Sequence, residues 1–233
     1  NAAMGFNRIA DKEYDALNER TSHREIPSGK ISTRSASVFV IINALLFIAT
    51  TGFINRLTLF LSPVALMIIF GYSLTKRFTY LCHFILGLGL SLAPIGSYIS
   101  VTGKFDILPI IYSLIVLTWV SGFDIIYALQ DDEFDRKTRL YSIPSARGRK
   151  QALFISAAVH TVTILLVLFA GLREEYNLIY WAGAVVFIVL LIYQHLIVRP
   201  DDLSRVTIAF GTVNGISSIL YAIFVITGLF VSL

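Results

Sequence analysis

Residues 178–198 read LIYWAGAVVFIVLLIYQHLIV and contain no Asp, Glu, Lys or Arg. An α-helix rises about 1.5 Å per residue, so roughly 20 apolar residues are enough to cross the ~30 Å hydrocarbon core of a bilayer. A segment of this length and composition is therefore predicted to be a membrane-spanning helix.

Six further segments of the chain have the same character. Of the 233 residues, 56% are hydrophobic and 15% are charged, whereas soluble domains carry about 25% charged residues. We therefore expect a single all-α domain over residues 1–233, built as a multi-spanning transmembrane helical bundle. The seven predicted crossings are 36–54, 58–75, 80–100, 106–130, 151–172, 178–198 and 206–233.

The basic residues are divided unequally between the two alternating sets of connecting segments. One set holds 16 of the 19 Lys and Arg residues, and the other holds only Arg56, Lys104 and Arg173. The positive-inside rule places the first set in the cytoplasm, so the cell (inner) membrane is the predicted location. The net charge of +4 is explained by these loops, and no nucleic-acid partner is predicted. The basic set comprises residues 1–35, 76–79, 131–150 and 199–205.

Cysteine and histidine offer no metal site. The single cysteine, Cys82, excludes an internal disulfide and any multi-cysteine metal centre. No pair of the four histidines has the spacing of a zinc-binding helix, so none is assigned to a metal.

Two cytoplasmic segments repeat one pattern of polar residues. The first contains Asn7, Asp11 and Asp15, and the second contains Tyr127, Asp131 and Asp135. Spacing of four residues places each set on one face of a helix, where neighbouring carboxylates repel each other. Such pairs near a membrane require a compensating cation, and Mg²⁺ prefers oxygen ligands of this kind.

Each polar pattern is followed by basic residues and then by the tripeptide Ile-Pro-Ser, at 26–28 and at 143–145. The repetition indicates two similar halves that meet at one site. Carboxylates for a metal beside arginines for phosphate oxygens predict a diphosphate pocket. Other basic residues, including Lys76 and Arg77, are attributed to membrane orientation alone. The arginines of the predicted pocket are Arg20, Arg24, Arg136 and Arg139.

The two patterns resemble the aspartate-rich motifs of UbiA-type prenyltransferases. NRIADKEYD at 7–15, continued by RTSHREIPSG at 20–29, is similar to the first motif, and DIIYALQDDEFDR at 124–136 is similar to the second. The resemblance extends over the whole chain and implies a nine-helix fold. The first helix of that fold and most of the second are expected to be missing.

The resemblance also implies a reaction, in which a prenyl group passes from an allylic diphosphate to an aromatic acid acceptor in quinone biosynthesis. Two Mg²⁺ ions are expected at Asn7, Asp11, Asp15, Asp131 and Asp135. The diphosphate is expected at Arg20, Arg24, Arg136 and Arg139, and the catalytic residues are expected to be Asp124, Tyr127 and Arg139. The prenyl chain is expected to lie in a pocket that opens sideways to membrane lipid.

Arg8 departs from the pattern of many 4-hydroxybenzoate enzymes, which have Asp directly after the Asn of the first motif. Arg8 together with the run YALQD at 127–131 resembles the bacterial branch that includes enzymes of menaquinone synthesis by the futalosine route. The acceptor therefore stays open between 4-hydroxybenzoate and a dihydroxynaphthoate, and the oligomeric state is open as well.

Two other classes of protein share some of these features. A secondary transporter also has repeated halves and intramembrane acids, but its site should lie near the bilayer midplane. The acids of this chain lie at predicted helix ends beside arginine-containing loops. A noncatalytic scaffold would have no use for five spaced acids and four arginines.

Overall fold

The structure is a computed structural model, and it describes residues 1–231 of the chain. Within these residues the secondary structure is helical, apart from one isolated bridge between Arg199 and Asp202. The α-helices are α1 (Ala2–Ala10), α2 (Lys12–Leu17), α3 (Thr33–Gly52), α4 (Arg56–Thr75), α5 (Cys82–Thr102), α6 (Ile107–Ala128), α7 (Asp132–Lys137), α8 (Ile143–Arg147), α9 (Arg149–Arg173), α10 (Leu178–Ile197) and α11 (Asn214–Val231).

Polar residues mark the points where several long helices begin. Ser32 accepts a hydrogen bond from the backbone N–H of Ser35 at the start of α3, and Asn55 accepts one from Thr58 at the start of α4. Such caps satisfy backbone donors that have no partner inside the helix. The apolar spans are therefore bounded by residues suited to the membrane surface.

Seven helical segments of the described chain are long and apolar enough to cross a membrane. Each overlaps one predicted crossing, which confirms the predicted all-α transmembrane bundle; positions 232 and 233 of the last prediction lie outside the described residues. Large apolar side chains such as Phe53 and Leu178, which are 92% and 83% exposed, form a surface suited to lipid. The seven segments are Thr33–Gly52, Arg56–Thr75, Cys82–Thr102, Ile107–Lys137, Arg149–Arg173, Leu178–Ile197 and Ile208–Val231.

The helix α6 is the centre of the bundle and packs mainly against α5 and α9. Glycines permit the close approach of these helices. A Cβ atom at Gly87 would lie 2.4 Å from Ser121 Oγ, and one at Gly122 would lie 2.2 Å from His160 Cδ2. Small residues have this function in many membrane bundles, because lipid provides no hydrophobic drive for helix association.

Both polar motifs lie where a helix is interrupted. The first spans the break between α1 and α2, where Asp11 has φ −93° and ψ 6°. The second runs from α6 through a 3₁₀ turn, Leu129–Asp131, into α7. The members of each motif still lie on one side of their segment: Asp11 N donates to Asn7 O at 2.9 Å across the first break, and Asn7 Nδ2 donates to Asp11 Oδ2 at 2.9 Å.

Candidate active site

A polar cavity of about 290 Å³ lies between the two motifs. All the predicted metal ligands line it, together with Asp124 and Tyr127 of α6. The basic residues in its wall are Arg20, Arg24, Lys76 and Arg77. Acidic and basic groups from distant parts of the sequence therefore surround one space, as the repeated pattern indicates.

Arg20 connects the two motifs. Its Nη2 lies 2.6 Å from Asp131 Oδ2 and its Nε lies 3.1 Å from Oδ1, and its Nη1 donates to the Tyr127 hydroxyl at 3.1 Å. A fork of this kind holds a carboxylate in a fixed plane. Arg20 follows the first motif in sequence and contacts the second, so this ion pair aligns the two halves of the site.

The other buried acids also have basic partners. Arg24 Nη1 lies 2.7 Å from Asp15 Oδ1, and Lys76 Nζ lies 3.3 Å from Asp135 Oδ2. Asp15 and Asp135 are 6% and 1% exposed. Buried carboxylates need such partners, because an isolated buried charge is strongly unfavourable.

The charge balance of the cavity changes the proton affinity of its groups. Burial, followed by the charge of Asp15, raises the pKa of Asp11 above its ordinary value, against the opposing effect of Lys76. Burial lowers the pKa of Lys76, but nearby carboxylates, chiefly Asp135, outweigh burial and leave it raised. The carboxylates therefore repel one another and are stabilised by cations.

Two predicted arginines lie outside the cavity. Arg136 has a 59% exposed side chain whose Nη2 lies 4.0 Å from Asp132 Oδ2. Arg139, which has φ 58°, does not line the cavity either. Lys76 and Arg77, from the end of α4, are found in the wall of the cavity instead. In the sequence, Lys76 and Arg77 are distinguished only by their position beside a predicted crossing. The positive-inside rule explains basic residues at such a position as well as a role in the site does.

A second, apolar cavity of about 1000 Å³ lies deeper in the bundle, between α3, α4, α5, α6 and α11. Helix α6 contributes to both cavities, because Phe123 lines the apolar one and the next residue, Asp124, lines the polar one. The space for a charged group and the space for an apolar group are therefore neighbours along α6.

Known proteins are similar to this chain in architecture and in sequence. The model of the UbiA prenyltransferase family matches residues 1–230. The chain belongs to this family. The predicted family and the predicted class of enzyme, a prenyltransferase, are thereby confirmed.

Two curated members of the UbiA family show the extent of the likeness. The 4-hydroxybenzoate octaprenyltransferase of Tolumonas auensis is 26% identical over 221 residues, which cover 95% of this chain and 77% of that protein. The enzyme of the same name from Francisella tularensis subsp. mediasiatica is also 26% identical, over 95% of this chain and 78% of its own length.

Solved structures of UbiA homologues have the same fold. The apo structure of a homologue from Aeropyrum pernix K1 has a TM-score of 0.89 and 29% identity, and covers 98% of this chain and 84% of that one. A homologue from Archaeoglobus fulgidus bound to GPP and Mg²⁺ has a TM-score of 0.74 over 98% of this chain and 81% of that one. Its 21% identity supports the common fold alone.

Proposed function

We propose that this protein transfers a prenyl group from an allylic diphosphate to an aromatic acid, either 4-hydroxybenzoate or a dihydroxynaphthoate, in quinone biosynthesis. The observation that carries the proposal is the polar cavity of paired acids and bases next to a larger apolar cavity. A prenyl diphosphate has the same division into a charged head and an apolar chain.

The polar cavity suits the diphosphate. Arg20 and Arg24 are proposed to bind its oxygens, with Lys76 and Arg77 added from the wall of the cavity. Arg20, Arg24 and Lys76 now pair with carboxylates, whereas Arg77 donates to the backbone oxygen of Ala10. An arriving polyanion would compete with those carboxylates for the basic side chains. The sequence also proposes Arg136 and Arg139 for this role, which would require the segment that carries them to approach the cavity.

The carboxylates suit Mg²⁺. In the described part of the chain, no three His, Cys, Asp or Glu side chains stand close enough to hold a metal alone. Mg²⁺ at phosphate sites uses one or two carboxylates and completes its coordination with phosphate oxygens and water. The proposed ligands are Asn7, Asp11, Asp15, Asp131 and Asp135. Bound Mg²⁺ would neutralise the charge that gathers on the departing diphosphate.

The junction of the two cavities suits the reacting carbon. With the head group among the acids and the chain in the apolar cavity, the allylic carbon would lie near Phe123, Asp124 and Tyr127 of α6. The Tyr127 ring stacks on Phe210 at a centroid distance of 4.0 Å. Aromatic faces stabilise cations, so these rings are proposed to line the path of the allylic cation.

The choice of acceptor rests on different observations. The relatives named above act on 4-hydroxybenzoate according to their names, whereas Arg8 favours the dihydroxynaphthoate branch. The experiment that tests the proposal is an assay of the full-length protein in membranes, with labelled geranyl diphosphate and a panel of both acids, with and without Mg²⁺. We expect Mg²⁺-dependent release of diphosphate and a labelled aromatic product. A secondary transporter would release no diphosphate.

A further inference from the structure

His83 of α5 has no exposed surface and uses both nitrogens of its ring. Nδ1 lies 2.6 Å from Asp124 Oδ2, and Nε2 accepts a hydrogen bond from the backbone N–H of Ile143 at 3.2 Å. The ring therefore joins three separate elements, α5, α6 and the first residue of α8.

These contacts determine where the ring proton lies. A backbone N–H can only donate, so Nε2 must present its lone pair to Ile143. A neutral imidazole with a bare Nε2 carries its proton on Nδ1. His83 is therefore a neutral donor, and Asp124 Oδ2 is the acceptor.

Asp124 has a second oxygen that this contact leaves open. Among residues 1–231, the bond from His83 is the only hydrogen bond recorded to the Asp124 side chain. This side chain is 19% exposed, whereas that of His83 is 0% exposed. With Oδ2 covered by the buried imidazole, Oδ1 is the oxygen available to the polar cavity.

We propose that His83 is a positioning residue that holds the Asp124 carboxylate ionised and oriented, with Oδ1 aimed at the acceptor ring. The inference rests on the proposed function. When a carbon of the acceptor ring forms its bond to the prenyl carbon, it still carries its hydrogen, and the ring is positively charged until that proton leaves. That C–H bond breaks, its electron pair returns to the ring, and the proton passes to Asp124 Oδ1. His83 keeps its own proton throughout.

The contact with Ile143 fixes the plane of the imidazole. Ile143 follows Ser142, which caps α8 by accepting from Ser145 N, and Tyr141 N donates to Lys76 O at 2.6 Å. The segment that begins α8 is therefore anchored to the same part of the site. His83 could also serve only to anchor this segment through its bond to Ile143. A test of its effect on Asp124 must therefore remove the two hydrogen bonds of His83 separately.

Two substitutions separate the two bonds. His83→Asn places an amide nitrogen near the position of Nδ1 and keeps a donor to Asp124, but it loses the acceptor for Ile143. His83→Gln places an amide oxygen near the position of Nε2 and keeps that acceptor, but it loses the donor. The full-length enzyme in membranes is assayed for kcat and for the KM of both substrates.

We expect His83→Gln to lower kcat about 10- to 100-fold, as loss of a partner that orients a reactive group does. Its KM for the prenyl diphosphate should change less than about twofold, and His83→Asn should keep kcat within about threefold, by the same reasoning. Wild-type kcat in His83→Gln, or equal losses in both variants, would overturn the proposal.

A spectroscopic test does not depend on activity. His160 donates from Nε2 to Trp119 O at 3.1 Å and accepts at Nδ1 from His195 Nε2 at 2.8 Å, so both carry their proton on Nε2. His23 is exposed. The ¹⁵N spectrum of the histidine-labelled enzyme should therefore show one buried ring with its proton on Nδ1, and this signal should vanish in His83→Gln.

The outcomes of this measurement are distinct from those of the assay. A wild-type spectrum without such a ring would overturn the proposal even if neither variant folds. A wild-type enzyme that shows the signal but prenylates no aromatic acid would overturn the proposed function, and with it the proton transfer to Asp124, while leaving the hydrogen bond from His83 to Asp124 in place.

Discussion

Asp135 is the residue on which the proposed metal site is most easily tested. It is 1% exposed and its Oδ2 lies 3.3 Å from Lys76 Nζ. Asp135→Asn keeps the shape of the side chain and removes one charged ligand. We expect turnover to fall at least about 100-fold, since electrostatic stabilisation of developing charge is usually the largest catalytic effect. The measurement is the initial rate during a Mg²⁺ titration.

Glu133→Gln is the matched control for Asp135→Asn. Glu133 lies two residues away, its side chain is 70% exposed, and it does not line the polar cavity. Its neutralisation should leave the rate near that of the wild type. Full activity of Asp135→Asn at limiting Mg²⁺ would remove the second motif from the metal site.

Substitutions of Lys76 and Arg139 are expected to affect the binding of the prenyl diphosphate to different extents. Lys76 lines the cavity, and Arg139 does not. Lys76→Met should raise the KM for the prenyl diphosphate about tenfold or more, because each charge-assisted contact contributes about 1.5–3 kcal/mol. Arg139→Ala should change this KM less if the segment stays where the structure places it. A larger effect of Arg139→Ala would show that this segment approaches the substrate during turnover.

The sequence predicts the acids of the site better than its bases. Asp11 and Asp135 belong to repeated patterns with a spacing that has a physical reason. Lys76 and His83 belong to no pattern, and they join the site because the end of α4 and the start of α5 lie beside the second motif. Their function depends on the packing of separate helices, which a single sequence does not reveal.

At the scale of helices, Gly122 tests the packing of α6 against α9. A Cβ atom there would lie 2.2 Å from His160 Cδ2, and hydrogen bonds to Trp119 O and His195 hold the His160 ring in place. We expect Gly122→Ala to destabilise the protein by about 1–3 kcal/mol, the usual cost of overpacking. Thermal unfolding in detergent is the measurement.

Gly71→Ala provides the control for Gly122→Ala. Gly71 lies inside α4, and apart from its chain neighbours and the nearby backbone of its own helix, no atom lies within 4 Å of a Cβ atom built there. Since alanine favours helix by about 0.5–1 kcal/mol over glycine, this variant should be as stable as the wild type or slightly more so. Equal midpoints for the two variants would show that α6 and α9 can separate without loss.

The positions of the spans could be predicted because hydropathy alone determines them. The interruptions at Asp11 and at Leu129–Asp131 could not, because the i, i+4 pattern of polar residues continues through both breaks. The acids on either side of these breaks line one cavity. The i, i+4 spacing of polar residues indicates which residues share a face of a regular helix, but it does not indicate where that helix is interrupted.

At the scale of the whole molecule, the positions of the two cavities and of the basic residues indicate how the site is oriented in the membrane. The five proposed metal ligands and the basic residues of the polar cavity belong to the basic set of segments, and the apolar cavity lies among the membrane-spanning helices. A water-soluble diphosphate head and a lipid-soluble chain would therefore each stay in the phase that solvates it. This arrangement supports the proposal that the polar cavity faces the cytoplasm.

The proposed orientation can be measured with two cysteine variants in a Cys82→Ala background, which removes the native thiol. Arg147 ends α8 in the basic set of segments, and Lys104 lies in the short connection between α5 and α6; both are exposed. Each replacement by cysteine removes one positive charge, so neither side is favoured by the substitution itself. Because the positive-inside rule acts on short connections next to the spans, a membrane-impermeant maleimide added to intact cells should label Lys104→Cys and spare Arg147→Cys. Inverted membrane vesicles should give the opposite result. Labelling of Arg147→Cys in intact cells would place the diphosphate site outside the cell, away from a cytoplasmic supply of prenyl diphosphate, and would overturn the orientation while leaving the fold unchanged.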